Sequence, residues 1–137
     1  MATVKAGLVA ALKADAGVSS IVGARVYPSH APKLAAKPRV IVHLASDERG
    51  RTLAGHTNQR VARALMECQA DTDLAAETLA RAVDAMFTAL QLGGSLGGCT
   101  VETCLQAAEG DTYADPGDGG DAGTFTRLVD YRIDYRT

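Results

Sequence analysis

The last part of the chain alternates apolar and polar side chains every two residues, a pattern that indicates a half-buried β-strand. The apolar positions within residues 125–136 are Phe125, Val129, Tyr131, Ile133 and Tyr135, and the polar ones are Thr126, Asp130, Arg132, Asp134 and Arg136. Successive side chains of a strand point to opposite faces of its sheet, so one face of this strand belongs to a core and the other to water. We therefore expect a sheet that is covered on one face.

Three further segments have strand patterns. One is a β-branched, apolar run that directly follows Pro38, where a strand can begin. Another alternates so that Met66 and Cys68 share an apolar face while Arg63 and Glu67 lie on the other. The three predicted strands cover residues 39–45, 60–70 and 99–108.

Two segments have helical periodicity instead. The sequence Asp71-Thr72-Asp73 supplies capping side chains and negative charge for a helix that is predicted to run to about Leu92, where glycines end it. The apolar stripe of this helix contains Leu79, Val83, Met86, Phe87 and Leu90. An N-terminal helix is predicted over residues 4–14, and residues 18–22 are expected to form one further turn.

The order helix, strand, strand, helix, strand, strand predicts an α+β fold. Because the strands come in neighbouring pairs, we expect a mixed or mainly antiparallel sheet of about four strands, with the long helix and the N-terminal helix packed on one face. Residues 1–137 are interpreted as a single domain. Two polar, glycine-containing stretches, 47–59 and 109–123, are predicted to be flexible loops. For 47–59 the alternatives are a hairpin arm and a mobile loop, and a long projecting hairpin loop is favoured.

The net charge of −2 conceals an asymmetry between the two halves of the chain. Residues 1–63 carry ten basic and three acidic side chains, a formal charge of +7, whereas residues 64–137 carry four basic and thirteen acidic ones, a formal charge of −9. Such a distribution can produce a polar molecule whose oppositely charged ends attract one another's copies.

Catalytic and metal-binding signatures are missing from the sequence, which predicts a protein without enzymatic activity, metal or cofactor. It contains no GxSxG, P-loop or HExxH motif. The glycine-rich stretch that begins at Asp115 suits a hard cation but does not follow the EF-hand template. Three cysteines and no secretion signal argue against a disulfide framework, and small buried thiols are the preferred interpretation.

The start of the chain has neither a spanning apolar run nor a cleavable signal, so we expect a protein that is made in a cytosol and has no membrane partner. A basic stretch in the 47–59 region could touch a phosphate backbone, but the sequence pI of about 5.9 disfavours an autonomous DNA-binding protein. Protein contact is the favoured role of both loops. The candidate contact residues are Asp47, Glu48, Arg49, Arg51, His56, Arg60, Asp111, Asp115, Asp118 and Asp121.

Taken together and in order, the motifs resemble the tail-completion (terminator-like) protein family of long-tailed phages, prophages and gene-transfer particles. They are Gly23-Ala24-Arg25-Val26-Tyr27-Pro28, Ala31-Pro32, Pro38-Arg39-Val40, Glu48-Arg49, Thr52-Leu53-Ala54-Gly55, the helix with Leu79-Ala80, Val83 and Leu90, and Arg127-Leu128-Val129-Asp130-Tyr131-Arg132. The chain departs from the family pattern in two places. The loop between Tyr113 and Arg127 is longer and more acidic, and Met66 and Cys68 replace a more polar mixture.

The resemblance implies a structural role without catalytic residues. It implies an α+β subunit of a ring, commonly a hexamer, at the head-proximal end of the tail tube in the virion, assembled in the host cytoplasm. The implied partners are further copies of the chain, the tail tube protein and the head connector or adaptor proteins, with DNA passing through the ring without sequence-specific binding. The alternatives are a head-side connector or adaptor (neck) protein and a small cytoplasmic ligand-binding α+β domain.

Overall fold

The computed structural model describes residues 4–32, 36–114 and 123–137, which form three helices and a six-stranded sheet. The helices are α1 (Val4–Ala14), α2 (Ala16–Val22) and α3 (Asp73–Thr88). The strands are β1 (Val26–Pro28), β2 (Arg39–Thr52), β3 (Gly55–Ala70), β4 (Gly94–Leu96), β5 (Cys99–Ala114) and β6 (Thr124–Arg136).

The sheet is mixed and mainly antiparallel, with the strand order β1-β2-β3-β6-β5-β4. Among the strands of the described residues, only the β1–β2 pair is parallel. The α+β class is as predicted, but the expected number of about four strands is wrong. The two additional strands, β1 and β4, contain three residues each and are too short to show an alternation in the sequence.

The centre of the sheet carries the core. The antiparallel register of β3 and β6 places Ala64 opposite Tyr131 and Met66 opposite Val129, and all four side chains are buried. Helix α3 covers this face. The ring of Phe87 stacks on that of Tyr131 with centroids 4.0 Å apart. Small alanines beside large aromatics on one face leave the space that a covering helix needs.

The end of α3 is determined by backbone geometry. Its N-terminus is as predicted, because the Thr72 side chain accepts a hydrogen bond from the Ala75 N–H at 3.1 Å. The helix ends at Thr88 rather than near Leu92. The N–H of Leu90 donates to Phe87 at 2.9 Å, a tighter turn that satisfies carbonyls at the helix end.

The prediction of loops at 47–59 and 109–123 is wrong for residues 47–52, 55–59 and 109–114, which are strand, whereas residues 115–122 lie outside the described residues. β2 and β3 pair as far as Thr52 and Gly55, around a two-residue turn at Leu53 and Ala54. β5 continues to Ala114 and pairs with the start of β6. The favoured hairpin loop is thus a hairpin arm. Strands pair through backbone hydrogen bonds, which do not depend on the side chains. A strand with polar side chains on both faces therefore lacks the apolar–polar alternation by which a strand is predicted from sequence.

Helix α1 contacts strands at both edges of the sheet. It packs against β1 and also against β4, where Gly7 approaches the backbone of Leu96. A strongly twisted sheet brings two diagonally opposite corners towards one face and turns the other two away. α1 therefore covers one pair of corners. Among the described residues, no helix is long and apolar enough to cross a membrane.

Replacement of Gly7 by alanine should destabilise the protein, although alanine is the better helix former. A Cβ at this position would lie 2.9 Å from the carbonyl carbon and oxygen of Leu96, so the helix or β4 would have to move. Overpacking of this kind costs about 1–3 kcal/mol. Thermal unfolding should give a lower Tm for Gly7→Ala, and a higher Tm would contradict the close approach. Ala10→Gly, at an exposed position of the same helix, measures the propensity effect alone.

Candidate functional site

The two stretches predicted to make assembly contacts lie at opposite ends of the sheet. The β2–β3 turn projects beyond Arg136, which pairs with Gln59 near the end of β6. The end of β5 and the start of β6 lie at the other end, beside Ala70, the last residue of β3. We call residues 47–60 the arm, and residues 109–114 together with 123–127 the acidic corner.

The arm carries its basic residues in cross-strand pairs. The register sets Arg49 opposite Arg60 and Arg51 opposite His56. Four of the predicted contact residues are thus neighbours in the backbone register. Leu53, in the two-residue turn at the tip, is fully exposed.

Asp47 connects the base of the arm to the two central strands of the sheet, β3 and β6, through hydrogen bonds. Its carboxylate accepts a hydrogen bond from Arg60 Nε at 3.1 Å and from the Tyr135 hydroxyl at 2.8 Å. The hydrogen bond to Asp47, together with its charge, raises the pKa of Arg60. Burial, followed by the Asp47 interaction, raises the pKa of Tyr135 to about 12. Asp47 and Arg60 therefore position the arm, whereas Glu48 and Arg49 are exposed on it.

The acidic corner contains an ion-pair cluster that the sequence did not indicate. Glu109 forms a salt bridge with Arg81 of α3 and another with Arg127 at 3.4 Å, and it accepts a hydrogen bond from Gln106 at 3.3 Å. Burial alone would raise the pKa of Glu109, but the hydrogen bond and charge of Arg81, then Gln106 and Arg127, lower it overall. Gln106 is a neighbour on the same strand, but Arg81 of α3 and Arg127 of β6 are distant from Glu109 in sequence, so spacing could not have shown the two ion pairs.

The predicted acidic contact residues are only partly described. Asp111 is exposed and lies opposite Arg127 in the register of β5 and β6. Asp115, Asp118 and Asp121 lie outside the described residues. The corner therefore supplies at least one exposed carboxylate beside its internal cluster.

The sheet face opposite the helices carries charges of both signs in cross-strand pairs. Arg63 forms a salt bridge with Asp130 and Arg136 with Glu102 at 2.8 Å, and His43 Nε2 lies 3.2 Å from a carboxylate oxygen of Glu67. Exposed pairs of this kind add little stability, but they neutralise one another. The face is thus unlike the single-sign basic surface that holds a nucleic-acid backbone.

The cysteines are packing residues, as predicted. All three thiols are free and buried. Burial raises the pKa of Cys68 and of Cys104 to about 12, which suppresses the reactive thiolate. Within the described ranges, no three His, Cys, Asp or Glu side chains converge as metal ligands do. The candidate functional features are therefore exposed surfaces, together with the side chains that hold them in place.

A model of the family "Tail completion protein gp17" matches residues 6–135. The chain belongs to this family. It is a structural protein of a phage tail and a component of the virion, and such tail proteins are typically not enzymes. None of the curated proteins matches the sequence. A chain in the solved structure "Virion of native gene transfer agent (GTA) particle" has the same fold, with a TM-score of 0.70 and 17% sequence identity over 97% of this chain and 94% of the other.

Loss of the Tyr135 hydroxyl should loosen the arm of this tail completion family member. Tyr135→Phe removes a 2.8 Å hydrogen bond to a carboxylate, and such bonds contribute about 1.5 kcal/mol or more. Amide hydrogen exchange in residues 47–52 and 55–60 should become about tenfold faster. Exchange in α3 should change little, and Tyr27→Phe in β1 serves as the control. Equal protection of the arm in both variants would contradict the anchoring role of Tyr135.

The Glu109 cluster should make stability depend on pH. A carboxyl whose pKa is lowered by folding stabilises the protein above its ordinary value of 4.5, and that contribution disappears as the pH falls through the folded pKa. Glu109→Gln should therefore lower stability at pH 7 by on the order of 1 kcal/mol and have less effect below pH 4.5. Denaturant unfolding at several pH values measures this difference, with Glu48→Gln as control. A pH-independent difference would refute the ionic explanation.

Proposed function

We propose that the protein is a ring-forming tail-completion subunit, assembled as a hexamer, that caps the head-proximal end of the tail tube and docks it to the head connector. Membership of the tail completion family is the observation that carries this proposal. The similar chain belongs to a gene transfer agent particle, which supports a place among the structural proteins of a virion. No cofactor takes part in this role.

The opposite ends of the sheet suit head-to-tail contacts between copies. Head-to-tail interfaces use two different surfaces of each subunit and close into a ring when the rotation per subunit fits. The arm has a formal charge of +1 with His56 neutral, whereas residues 110–123 contain four aspartates and no basic residue. Asp47 is bonded to Arg60, and the exposed charged side chains that the structure describes on the arm are Glu48 and Arg49. Complementary ends of this kind favour one orientation of neighbouring copies.

The remaining surfaces suit the other proposed partners. The exposed Leu53 at the arm tip offers an apolar contact to the tail tube protein or the connector. The sheet face with alternating ion pairs presents no continuous basic surface, which suits DNA that passes through a ring without being held.

Electron microscopy of particles that lack the protein tests this function. A tail-capping subunit should leave tails of uncontrolled length and heads that are not joined to tails. Tails of normal length without heads would favour the head-side adaptor. Normal, complete particles would exclude both roles.

Charge reversal in the arm tests the electrostatic contact. Replacement of Arg49 and Arg51 by glutamate should reduce assembly at low salt, because the new acidic groups face other acidic groups at the interface. Assembly of the wild type should weaken between low and high salt, since exposed charges are screened. Lys13→Glu, an exposed reversal on α1, is the matched control. Assembly that is indifferent to salt and to both arm substitutions would show that charge does not direct the contact.

A further inference from the structure

Strand β5 has a long edge that no other described strand covers. β4 pairs with β5 only from Cys99 to Val101. From Thr103 to Ala114, β5 pairs with β6 on one side and with no strand of the described residues on the other. The register shifts between Gln106 and Ala108, so the regular part of this edge begins at Ala108. An open edge of this kind is a template for an added strand.

Strand β2 has a matching open edge on the opposite side of the sheet. β1 pairs with it only from Val40 to Val42. Beyond that point, the described residues include no strand beside β2 on this side. Register shifts occur between Leu44 and Ser46 and between Arg49 and Arg51, which leaves residues 46–49 as a regular segment.

The two open edges belong to the two corners that α1 does not cover. The edge of β2 is open at the arm end of the sheet, and the edge of β5 is open at the acidic corner. The strands run in opposite directions, since the sheet is antiparallel from β2 through β5. If neighbouring copies are related by rotation around one axis, the edge of β2 in one copy can therefore pair with the edge of β5 in the next only in the antiparallel direction. In antiparallel pairs the hydrogen bonds are perpendicular to the strands.

We infer that residues 46–49 of one copy pair antiparallel with residues 111–114 of the next, so that the sheets of the ring are joined edge to edge. This inference rests on the proposed ring. In this register Arg49 lies opposite Asp111 of the neighbouring copy, and both positions belong to the sheet face that carries the helices. Opposite charges directly across a strand pair stabilise it, whereas like charges destabilise it.

The placement of the open edges is compatible with closure around an axis, provided that the rotation between neighbouring copies fits. Each copy joins the arm half of its β2 to the corner half of the next β5, so neighbouring sheets are staggered along the strands. A constant stagger is what a sheet needs to close around an axis. The register shifts beside both regular segments limit the pairing to a short stretch and reduce other edge contacts.

Disulfide trapping tests the register. Glu48 and Thr112 would lie opposite one another on the outer face, and both are exposed. Cα atoms of antiparallel partners are about 4.5–5.5 Å apart, within the range that a disulfide spans. Particles assembled with Glu48→Cys plus Thr112→Cys should, after mild oxidation, give a ladder of covalent multimers on a non-reducing gel.

The matched control is Glu48→Cys plus Thr100→Cys. Thr100 is on the same face of β5, but its edge is covered by Ser95 of β4, so no ladder is expected. Normal particles without a ladder in the Thr112 pair would overturn the edge pairing and leave the tail role intact. Absence of the wild-type chain from purified tails would overturn the proposed function as well.

A charge exchange keeps the inference testable if the cysteine variants do not assemble. Arg49→Asp and Asp111→Arg should each reduce joined particles several-fold, and the two together should restore most of them. A double variant that assembles no better than either single variant would overturn the Arg49–Asp111 register. Thermal unfolding of each purified chain separates lost assembly from lost folding.

Discussion

The pairing of β3 with β6 is the contact on which the rest of the structure depends. It joins two strands that are distant in sequence and sets Ala64 beside Tyr131 on the covered face. Alanine leaves room above the sheet, and Tyr131 fills part of it, stacked on Phe87 and hydrogen-bonded to Asp84 at 2.5 Å. Helix α3 thus packs at one well-defined position on the sheet. β2 and β5 flank the central pair of strands.

The same centre determines where the two proposed contact regions lie. Twist divides the four corners of the sheet into two that α1 covers and two that project. The projecting corners carry opposite charge and open strand edges. Asp47 and Glu109 each hold one of them in place through ion pairs with residues from other elements. A small protein with few large apolar side chains can therefore hold both proposed contact regions in defined positions.

Much of the fold followed from local patterns, and the exceptions have a common cause. The alternation in residues 125–136 and the apolar stripe of α3 correctly indicated strand and helix, because one face of each is buried. The ends of β2, β3 and β5 were interpreted as loops, since neither of their faces is apolar there. For the proposed contact surfaces, the sequence predicted Arg49, Arg51 and Asp111, and these stay predictions. It could not indicate Arg81 or Arg127, whose role depends on packing between elements.

The sequence by itself determined the α+β class, the buried thiols, the absence of known catalytic motifs and the separation of charge along the chain. These properties depend on neighbouring residues and on composition. Only the tertiary structure decided that the basic and acidic segments lie at opposite ends of one sheet, and that each lies beside an uncovered strand edge. Strand order and register set those positions, and they arise from contacts between residues far apart in the chain, which no local pattern records.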